Sequence, residues 1–303
     1  MRVASIVPVA LALAPAAVSA TGTLGFAIGT RVGTESDSRC KTTADYKKDF
    51  ATLSSHTKLV RGYDAADCSF AGEILPAAKS AGFQVILGVW PDDDTQYKNG
   101  VNAIRVNGTG FEDQIYGVTI GSETMYRGTF TGSELMKNYI APFKKEFPQY
   151  KVGTADSWNK YADGTADDVV RGADMVLVNA FSYWQGQDIT NATGSFFDDI
   201  MQATARIQST KGSVNGIDIK VGETGWTTEG TTYESAQPSV KNAQKFWKSG
   251  VCGMLDWGVD VFAFEAFDES WKPDSVSDNG TPADEKHWGV FDANRAPKYD
   301  ISC

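Results

Sequence analysis

Eight short apolar runs alternate with amphipathic stretches along this chain, and this alternation limits its possible folds more than any other feature. The runs are rich in Val, Ile and Gly and have the length of strands that are buried on both faces. A strand, a helix and a second strand in that order form a parallel βαβ unit. Because 303 residues suffice for eight such units, we predict an α/β fold, a single (β/α)8 TIM barrel over residues 21–303.

The boundaries of these elements follow from the points where the periodicity changes. The predicted strands span residues 24–29, 59–64, 84–90, 116–123, 151–158, 175–181, 219–226 and 259–267. The predicted helices span residues 43–55, 71–81, 95–106, 132–146, 163–171, 196–210 and 237–250. Residues 272–289, rich in Asp, Ser, Pro and Gly, are predicted to form a long loop of the barrel.

Residues 1–20 have the order of a secretory signal peptide, with Arg2 near the start, an apolar middle and small residues up to Ala20. A membrane anchor is the alternative, but the apolar stretch is short and Pro8 and Pro15 interrupt it. We therefore predict cleavage after Ala20 and a secreted, extracellular protein. The C-terminal residues form no apolar tail, so we expect no lipid anchor.

All four cysteines follow the signal peptide, which fits disulfides formed in an oxidising compartment. Three pairings are possible, and we favour Cys40–Cys68 with Cys252–Cys303 because each joins neighbouring segments. A zinc site is the alternative, but the chain has no CxxC spacing and only two histidines. We therefore predict no metal and no cofactor. Candidate N-glycosylation sequons begin at Asn107, Asn191 and Asn279, although such tripeptides also arise by chance.

The charge of the chain argues against two classes of partner. The formal net charge is −10, and loss of Arg2 with the signal peptide makes it −11. Without a basic stripe, nucleic acid and anionic membranes are not expected partners. An acidic surface with 12% aromatic residues suits a neutral polysaccharide, although acidic secreted proteins serve many functions. We expect the protein to be a monomer.

Two predicted strands carry a glutamate at or near their carboxyl end. Glu123 closes the run 116–123, and Glu223 lies in the run 219–226. A buried carboxylate is costly unless it is paired or lies in a pocket. Strands four and seven of a barrel bring their ends to one mouth, and carboxyls ~5–5.5 Å apart perform retaining glycoside hydrolysis. We therefore predict that Glu123 and Glu223 form a catalytic pair, and not two solvated strand-end residues.

Aromatic side chains recur at or just beyond the predicted strand ends. Sugars stack their apolar faces on such rings, whereas filling of the core is the alternative role. Their number favours a sugar-binding cleft, and they are Tyr63, Trp90, Trp158, Phe181, Tyr183, Trp184, Trp226, Phe267 and Trp271. Asn179, Asp156 and Ser182 are candidate groups for binding sugar hydroxyls.

A third acidic cluster follows strand eight and contains Glu265, Asp268, Glu269 and Lys272. A lysine near a nucleophilic carboxylate would hold that carboxylate ionised and oriented. Glu269 and Lys272 are therefore candidates for orienting the nucleophile or for binding sugar hydroxyls. The alternative is a salt-bridged loop, and we favour it for Asp268.

Six segments of the chain resemble glycoside hydrolase family 17. They are most similar to its fungal cell-wall β-1,3-glucanosyltransferases, which are also named glucan 1,3-β-glucosidases or endo-β-1,3-glucanases. The segments are VTIGSETMYR (118–127), GTADSW (153–158), NAFSYWQG (179–186), FFDDIMQ (196–202), VGETGW (221–226) and FEAFDESWKP (264–273). The resemblance runs from about residue 24 to residue 303 and so covers nearly the whole chain after the signal peptide.

This resemblance implies a (β/α)8 barrel with retaining chemistry and β-1,3-glucan as the partner. It implies that Glu123 is the acid/base and Glu223 the nucleophile, and that Glu269 and Lys272 correspond to the family's strand-eight pair. It also implies a protein of the fungal cell wall.

The chain departs from the wider superfamily at the residue before the acid/base. Asn usually stands there and contacts the sugar 2-hydroxyl, whereas this chain has Ser122, as the fungal subgroup does. Asn179 is then a candidate for that contact. The predicted substrate-binding residues are Tyr63, Ser122, Trp158, Asn179, Tyr183, Trp184, Trp226, Glu269 and Lys272.

Three functions remain open at this point. The leading hypothesis is a wall enzyme that cleaves β-1,3-glucan and passes the chain to an acceptor sugar or to water, with the outcome set by acceptor-side aromatics such as Tyr126, Trp158 and Trp184. A non-catalytic glucan-binding protein would use the same aromatic cleft but would not need two carboxylates. Hydrolysis of mannan or cellulose would use the same barrel and the same pair.

Overall fold

The computed structural model describes residues 21–213, 215–276 and 280–303. Within these ranges, eight parallel strands pair in chain order, and the first pairs with the eighth to close a barrel. The barrel strands are β1 Leu24–Ala27, β2 Leu59–Arg61, β3 Gln84–Val89, β4 Ile115–Ser122, β5 Val152–Ser157, β6 Met175–Asn179, β7 Asp218–Thr224 and β8 Val261–Ala263. The predicted (β/α)8 fold is confirmed.

Helices in the crossovers cover the outside of the barrel, and side-chain caps mark where several begin. The Asp93 carboxylate accepts from the amides of Thr95 and Gln96, and Thr131 forms a capping box with Glu134. The α-helices are α1 Thr43–Leu53, α2 Phe70–Ala81, α3 Asp94–Asn107, α4 Gly132–Leu135, α5 Ala141–Glu146, α6 Trp158–Ala162, α7 Asp167–Gly172, α8 Ala192–Lys211, α9 Val240–Phe246 and α10 Cys252–Asp256. The π-helical segments Met136–Ile140 and Trp247–Val251 join α4 to α5 and α9 to α10, and 3₁₀ turns span Asp67–Ser69 and Glu112–Gln114.

Several boundaries differ from the prediction. β2 ends at Arg61 and β8 at Ala263, because the backbone there leaves the ladder to form the loops of the mouth. The predicted helix 163–171 is observed as α7, which starts later because the chain turns at Gly164 with a φ of +87°. The region 272–289 contains a short hairpin of Ser275–Val276 and Pro282–Ala283, and a second hairpin pairs Arg31–Val32 with Arg39–Cys40.

Side chains that point into the barrel form two layers. One layer is apolar, and the other is polar and lies nearer the carboxyl ends of the strands. Leu59 on β2 and Leu177 on β6 belong to the apolar cluster that fills the barrel. Arg61 and Asn179 follow two residues later, nearer the carboxyl ends of the strands, and each is 1% exposed. In the strand register Asn179 pairs with Glu223 on β7. The polar layer therefore forms at the mouth of the barrel.

Both predicted disulfides are confirmed. Cys40–Cys68 joins the first hairpin to the turn before α2, and Cys252–Cys303 joins the start of α10 to the last residue. Each bridge connects segments that the barrel already brings close together.

The candidate glycosylation sites differ in exposure. Asn191 is exposed at the start of α8, whereas Asn107 is half-buried and its Nδ2 donates to the Ala103 carbonyl at 2.9 Å. Asn279 and the predicted signal peptide lie outside the described residues. In the described ranges no helix is long and apolar enough to cross a membrane, and no group of three or more His, Cys, Asp or Glu is placed to hold a metal ion.

Candidate active site

A cavity of about 470 Å³ opens at the carboxyl ends of the barrel strands. Glu123 and Glu223 both line it, together with the amide side chain of Asn179. The remaining wall is formed by Tyr126, Ser157, Trp158, Asn159, Phe181, Trp184, Gln185, Tyr233, Phe264, Ser275, Val276, Ala283 and Glu285. The cavity thus combines two carboxyls with several aromatic rings.

Glu223 lies near the end of β7 and is 7% exposed. Arg61 Nη1 donates to Glu223 Oε1 at 3.0 Å and to the Gly222 carbonyl at 2.8 Å. Burial raises the pKa of Glu223 to about 7; the Arg61 charge acts against this rise, and the Glu123 charge adds to it. Because Arg61 is itself buried, its attraction for the Glu223 carboxylate is little screened by water.

Glu123 directly follows β4 and has a φ of +57°, in the left-handed region that residues with a Cβ rarely adopt. Its amide donates to the Ala155 carbonyl at 2.9 Å, and its carbonyl accepts from the Arg127 amide at 2.9 Å. Burial raises the pKa of the Glu123 carboxyl, while Asn179 Nδ2 donates to its Oε1 at 3.0 Å and lowers that pKa. The side chain is therefore fixed at the mouth in a turn and not on a regular strand.

The two carboxyls influence each other's protonation, since a negative charge on Glu123 raises the pKa of Glu223. Burial raises the pKa of both carboxyls, and the repulsion between two negative charges disfavours ionisation of both at once. One of them can then donate a proton while the other acts as a nucleophile or a base. This is the chemistry of glycosidic bond cleavage.

Lys272 lies among three carboxylates next to the cavity. Its Nζ is 2.8 Å from Glu265 Oε1, 3.3 Å from Glu269 Oε2 and 3.7 Å from Glu285 Oε2. Burial lowers the pKa of Lys272, but these charges outweigh burial and raise it, so the ammonium group stays charged. Glu285 lines the cavity, and its charge raises the pKa of both Glu123 and Glu223.

A family model decides how this site is classified. Residues 27–289 match the BtgE/BtgC glycoside hydrolase domain. The chain belongs to this glycoside hydrolase family. The match covers all eight barrel strands except the first three residues of β1.

Two fungal relatives are similar to this chain over almost its full length. It is 51% identical over 305 residues to a glucan 1,3-beta-glucosidase of Arthroderma benhamiae, with 100% of this chain and 98% of the relative covered. It is 44% identical over 297 residues to a glucan 1,3-beta-glucosidase of Saccharomyces cerevisiae, with 94% and 93% covered.

Solved structures give the same classification. A glycoside hydrolase family 17 β-1,3-glucanosyltransferase from Rhizomucor miehei has a TM-score of 0.77 and 29% identity, and 91% of this chain and 96% of that chain are covered. An active-site mutant of the Rhizomucor miehei enzyme in complex with laminaritriose also has a TM-score of 0.77 and 29% identity, with 92% and 97% covered. The resemblance to family 17 is confirmed, and this chain is an enzyme, a glycoside hydrolase or transglycosylase.

The structure brings part of the predicted site of this enzyme into the cavity. Trp158, Asn179 and Trp184 line it with the two glutamates. The Trp184 ring is stacked on that of Trp288, with centroids 5.4 Å apart, so a buried ring supports the cavity wall. Other predicted residues, Tyr63, Ser122, Glu269 and Lys272, lie behind this wall.

Those four residues contact the site without lining the cavity. The Tyr63 ring lies 4.9 Å from the Arg61 guanidinium, and burial, aided by the Glu223 charge, raises the pKa of Tyr63. The Ser122 carbonyl accepts from Arg127 Nη1, and its side chain is 7% exposed. Glu269 lies in the Lys272 cluster. Lys272 forms its ion pairs with Glu265, Glu269 and Glu285.

Tyr183 and Trp226, which were predicted to bind the substrate, are residues of the core. Tyr183 and Trp226 are 1% and 2% exposed, and their rings pack edge to face with centroids 5.0 Å apart. Trp226 Nε1 donates to the Gln237 carbonyl at 2.9 Å, and the Tyr183 hydroxyl to the Thr231 carbonyl at 2.8 Å. Since both rings are buried, they cannot stack on a sugar.

The contacts of Ser182 and Asp156 do not support the predicted binding of sugar hydroxyls, whereas the contact predicted for Asp268 is confirmed. The buried Ser182 hydroxyl donates to the Ala192 carbonyl at 2.7 Å, and Asp156 is 0% exposed and binds backbone amides, so neither binds a sugar hydroxyl. The salt bridge predicted for Asp268 is present, with Lys298 Nζ 2.6 Å from its Oδ1.

Two residues of the site were not predicted from sequence. The sequence pattern places Arg61 in the predicted strand 59–64 and Glu285 in the predicted loop 272–289, and it assigns neither a role. The sequence signal for Arg61 is a charged residue at the end of a buried strand, directly before Gly62. Such a residue needs a partner at the mouth of the barrel, as the glutamates do.

Proposed function

We propose that this protein is a secreted, retaining enzyme that cleaves β-1,3-glucan and transfers the released chain to a glucan acceptor or to water, and so remodels the fungal cell wall. The observation that carries the proposal is the presence of Glu123 and Glu223 in one cavity, with Asn179 bonded to the first and Arg61 to the second. The substrate class is supported by the names of the relatives and by the laminaritriose in the Rhizomucor miehei structure.

In the first step Glu223 is the nucleophile. One of its carboxylate oxygens bonds to the anomeric carbon while the glycosidic C–O bond breaks and its electron pair moves to the leaving oxygen. That oxygen takes the proton of Glu123, so the departing sugar leaves as a neutral alcohol. Arg61 favours the ionised form of Glu223 that this attack requires.

In the second step Glu123 acts as a base. An acceptor hydroxyl or a water molecule gives its proton to Glu123 while its oxygen bonds to the anomeric carbon. The bond from that carbon to Glu223 breaks, and Glu223 returns to a carboxylate. The catalytic pair is the same for both acceptors, so the aromatic wall with Tyr126, Trp158 and Trp184 has to favour a sugar over water.

Asn179 is suited to bind the sugar 2-hydroxyl that flanks the reacting carbon. Its Nδ2 is used by Glu123, but its buried Oδ1 accepts no hydrogen bond from the described residues. Because this oxygen is buried, we expect a sugar hydroxyl to accept instead from the second hydrogen of Nδ2, on the side chain that lines the cavity. The role is the one that Asn before the acid/base has in the wider superfamily, where this chain has Ser122.

The first experiment measures the sizes of the products formed from a β-1,3-linked glucose pentamer. We expect products longer than the donor, which would support transfer. If only shorter products form, the enzyme is a hydrolase, and a β-1,4-linked pentamer tested in parallel checks the linkage.

Glu223→Gln is the blank for this assay because the amide cannot act as the nucleophile. We expect it to bind the pentamer but to release no product. Product release at the wild-type rate would contradict the nucleophile assignment. If wild type also releases nothing beyond the blank, the protein is a glucan-binding protein without catalysis.

Localisation is tested separately from activity. We expect N-terminal sequencing of the protein from a fungal culture to begin at Thr21 and the protein to be found in the wall or medium fraction. An intact N-terminus in the cell fraction would contradict secretion.

A further inference from the structure

Asp156 is a buried carboxylate next to the catalytic pair that no step of the proposed reaction uses. It lies on β5 and is 0% exposed. Its Oδ2 accepts from the Met125 amide at 2.9 Å, and its Oδ1 accepts from the Tyr126 amide at 3.1 Å and from the Ser157 amide at 2.9 Å. One carboxylate therefore binds three backbone N–H groups.

Two of these amides belong to the turn that directly follows Glu123. The left-handed φ of +57° at Glu123 is strained for a residue with a Cβ and persists only when its surroundings fix it. β5 supplies adjacent anchors for this purpose: the Ala155 carbonyl accepts from the Glu123 amide at 2.9 Å, and Asp156 accepts from the amides two and three residues later. The backbone is thus held on both sides of the strained position.

The same turn also carries part of the cavity wall. Tyr126, whose amide Asp156 binds, lines the cavity and is 44% exposed. Asp156 therefore fixes Glu123 and a side chain of the wall relative to one another. Loss of its contacts would let both move.

We propose that Asp156 is a positioning residue that holds the turn from Glu123 to Tyr126 rigid, so that the acid/base stays aligned with the leaving oxygen. This inference rests on the proposed function. Asn does not replace Asp156, because its side chain has one acceptor oxygen and its NH₂ group would face a backbone N–H.

The test compares the kcat/KM of Asp156→Asn on two donors with the same β-1,3-glucosyl chain. One donor has a sugar as leaving group, which needs a proton from Glu123, and the other has 2,4-dinitrophenolate, which needs none. We expect about a 10-fold to 100-fold loss on the first donor, because a shift of about 1 Å in a catalytic group has this effect. On the second donor we expect a loss of less than about 3-fold.

Equal losses on the two donors would overturn the inference, because a general structural defect does not distinguish between leaving groups. An unchanged kcat/KM on both donors would overturn it as well. If Asp156→Asn does not fold, as judged by circular dichroism, Asp156→Ser is used, since its smaller side chain has no NH₂ group to face the amides. The same expectation applies to it.

Asp174→Asn is the matched control. Asp174 Oδ2 also accepts a backbone amide of β5, that of Val152 at 3.0 Å, but at the amino end of the strand and away from the cavity. We expect this variant to keep the wild-type ratio of kcat/KM between the two donors. If it loses activity selectively on the sugar donor, the effect is not specific to the turn after Glu123 and the inference fails.

Glu123→Gln separates failure of this inference from failure of the proposed function. This variant should lose activity selectively on the donor with the sugar leaving group. If it shows no such selectivity, the acid/base assignment fails and the inference fails with it. If it is selective and Asp156→Asn is not, only the positioning role of Asp156 is overturned.

Discussion

At the scale of single residues, the contact between Arg61 and Glu223 favours the ionised form of the proposed nucleophile. Arg61 Nη1 is 3.0 Å from Glu223 Oε1, and the Arg61 side chain is 1% exposed. Its positive charge lowers the pKa of Glu223 from the value that burial alone would give. The acid-side pH at which activity falls should therefore depend on this arginine.

For Arg61→Gln we expect the acidic limb of the kcat/KM profile to move to higher pH by about one unit or more, because the pKa of Glu223 rises when the cation is removed. The measurement is kcat/KM on a β-1,3-glucan oligosaccharide from pH 4 to pH 8. Arg105→Gln, which removes an exposed arginine paired with Glu146, should leave the limb in place. If the acidic limb of the kcat/KM profile of Arg61→Gln lies at the wild-type pH, Arg61 does not lower the pKa of Glu223.

The same contact shows what sequence analysis missed at this scale. Arg61 and Glu223 are 162 residues apart, and each is unremarkable in its own segment apart from its charge. Glu123 and Glu223 were found because an acid at the end of an apolar run is costly by itself. Burial of an unpaired arginine at the end of an apolar run also costs free energy. A search for basic as well as acidic residues at these positions would therefore have predicted Arg61.

At the scale of elements, the disulfide Cys252–Cys303 fixes the end of the chain to the helical layer. The bridge closes a loop with a sequence separation of 51 residues. Trp247 Nε1 donates to the Ile301 carbonyl at 3.0 Å, and Lys248 Nζ to Asp300 Oδ2 at 2.7 Å, so the bridge is not the only contact of this segment. It acts mainly by restricting the unfolded chain.

For Cys252→Ser with Cys303→Ser we expect the free energy of unfolding to fall by roughly 2–4 kcal/mol, because the unfolded chain gains conformational entropy. Urea unfolding followed by tryptophan fluorescence measures this loss. Activity per folded molecule should not change, since neither residue lines the active-site cavity. Cys40→Ser with Cys68→Ser, which opens a loop with a separation of 28 residues, should cost slightly less. An unchanged urea midpoint in the first double variant would contradict the expectation.

Boundaries of elements were predicted less well than their existence. Apolar runs continue past the last ladder bond, as at residues 264–267, where the chain has left β8 but its side chains remain mostly buried. Periodicity reports burial, and it does not report where backbone pairing ends. The helical region predicted for residues 237–250 continues to Asp256 in the structure. The π-helical segment Trp247–Val251 shifts the spacing of the apolar side chains, so the sequence pattern does not show this continuation.

At the scale of the whole molecule, the barrel could be predicted because each strand and helix has its own local pattern, and eight repeats of one unit leave few arrangements. The site could be predicted only in part. Closure of the barrel explains why Glu123 and Glu223 line one cavity, but the burial of Tyr183 and Trp226 depends on packing between distant loops. Aromatic position along a strand does not distinguish a sugar platform from a core ring.

Buried acids also give the whole molecule a pH-dependent stability. Burial raises the pKa of Asp199 to about 6 from 3.8, and that of Glu223 to about 7 from 4.5. Between the two values of each acid, the folded state holds a proton that the unfolded state has lost. The free energy of unfolding therefore falls as the pH rises from about 4 to about 7.

We expect the Tm to be higher at pH 5 than at pH 7.5, by on the order of 5 °C. Acids with a lowered pKa, such as Asp45 and Asp300, act in the opposite direction but only below about pH 4, where their unfolded forms take up protons. The measurement is differential scanning calorimetry at both pH values. A Tm that increases from pH 5 to pH 7.5 would contradict the expectation.

The net charge of −10 also favours stability at lower pH, because self-repulsion decreases as carboxylates are protonated, so a second comparison is needed to isolate the buried acids. Asp199→Asn removes one buried acid that is 4% exposed and lies on α8, where its Oδ2 accepts from Gln185 Nε2. Its Tm should change less than that of the wild type between pH 4 and pH 6. Asp256→Asn removes the same charge at an exposed position and should keep the wild-type slope. If the two variants have equal slopes, the pH dependence comes from overall charge and not from burial.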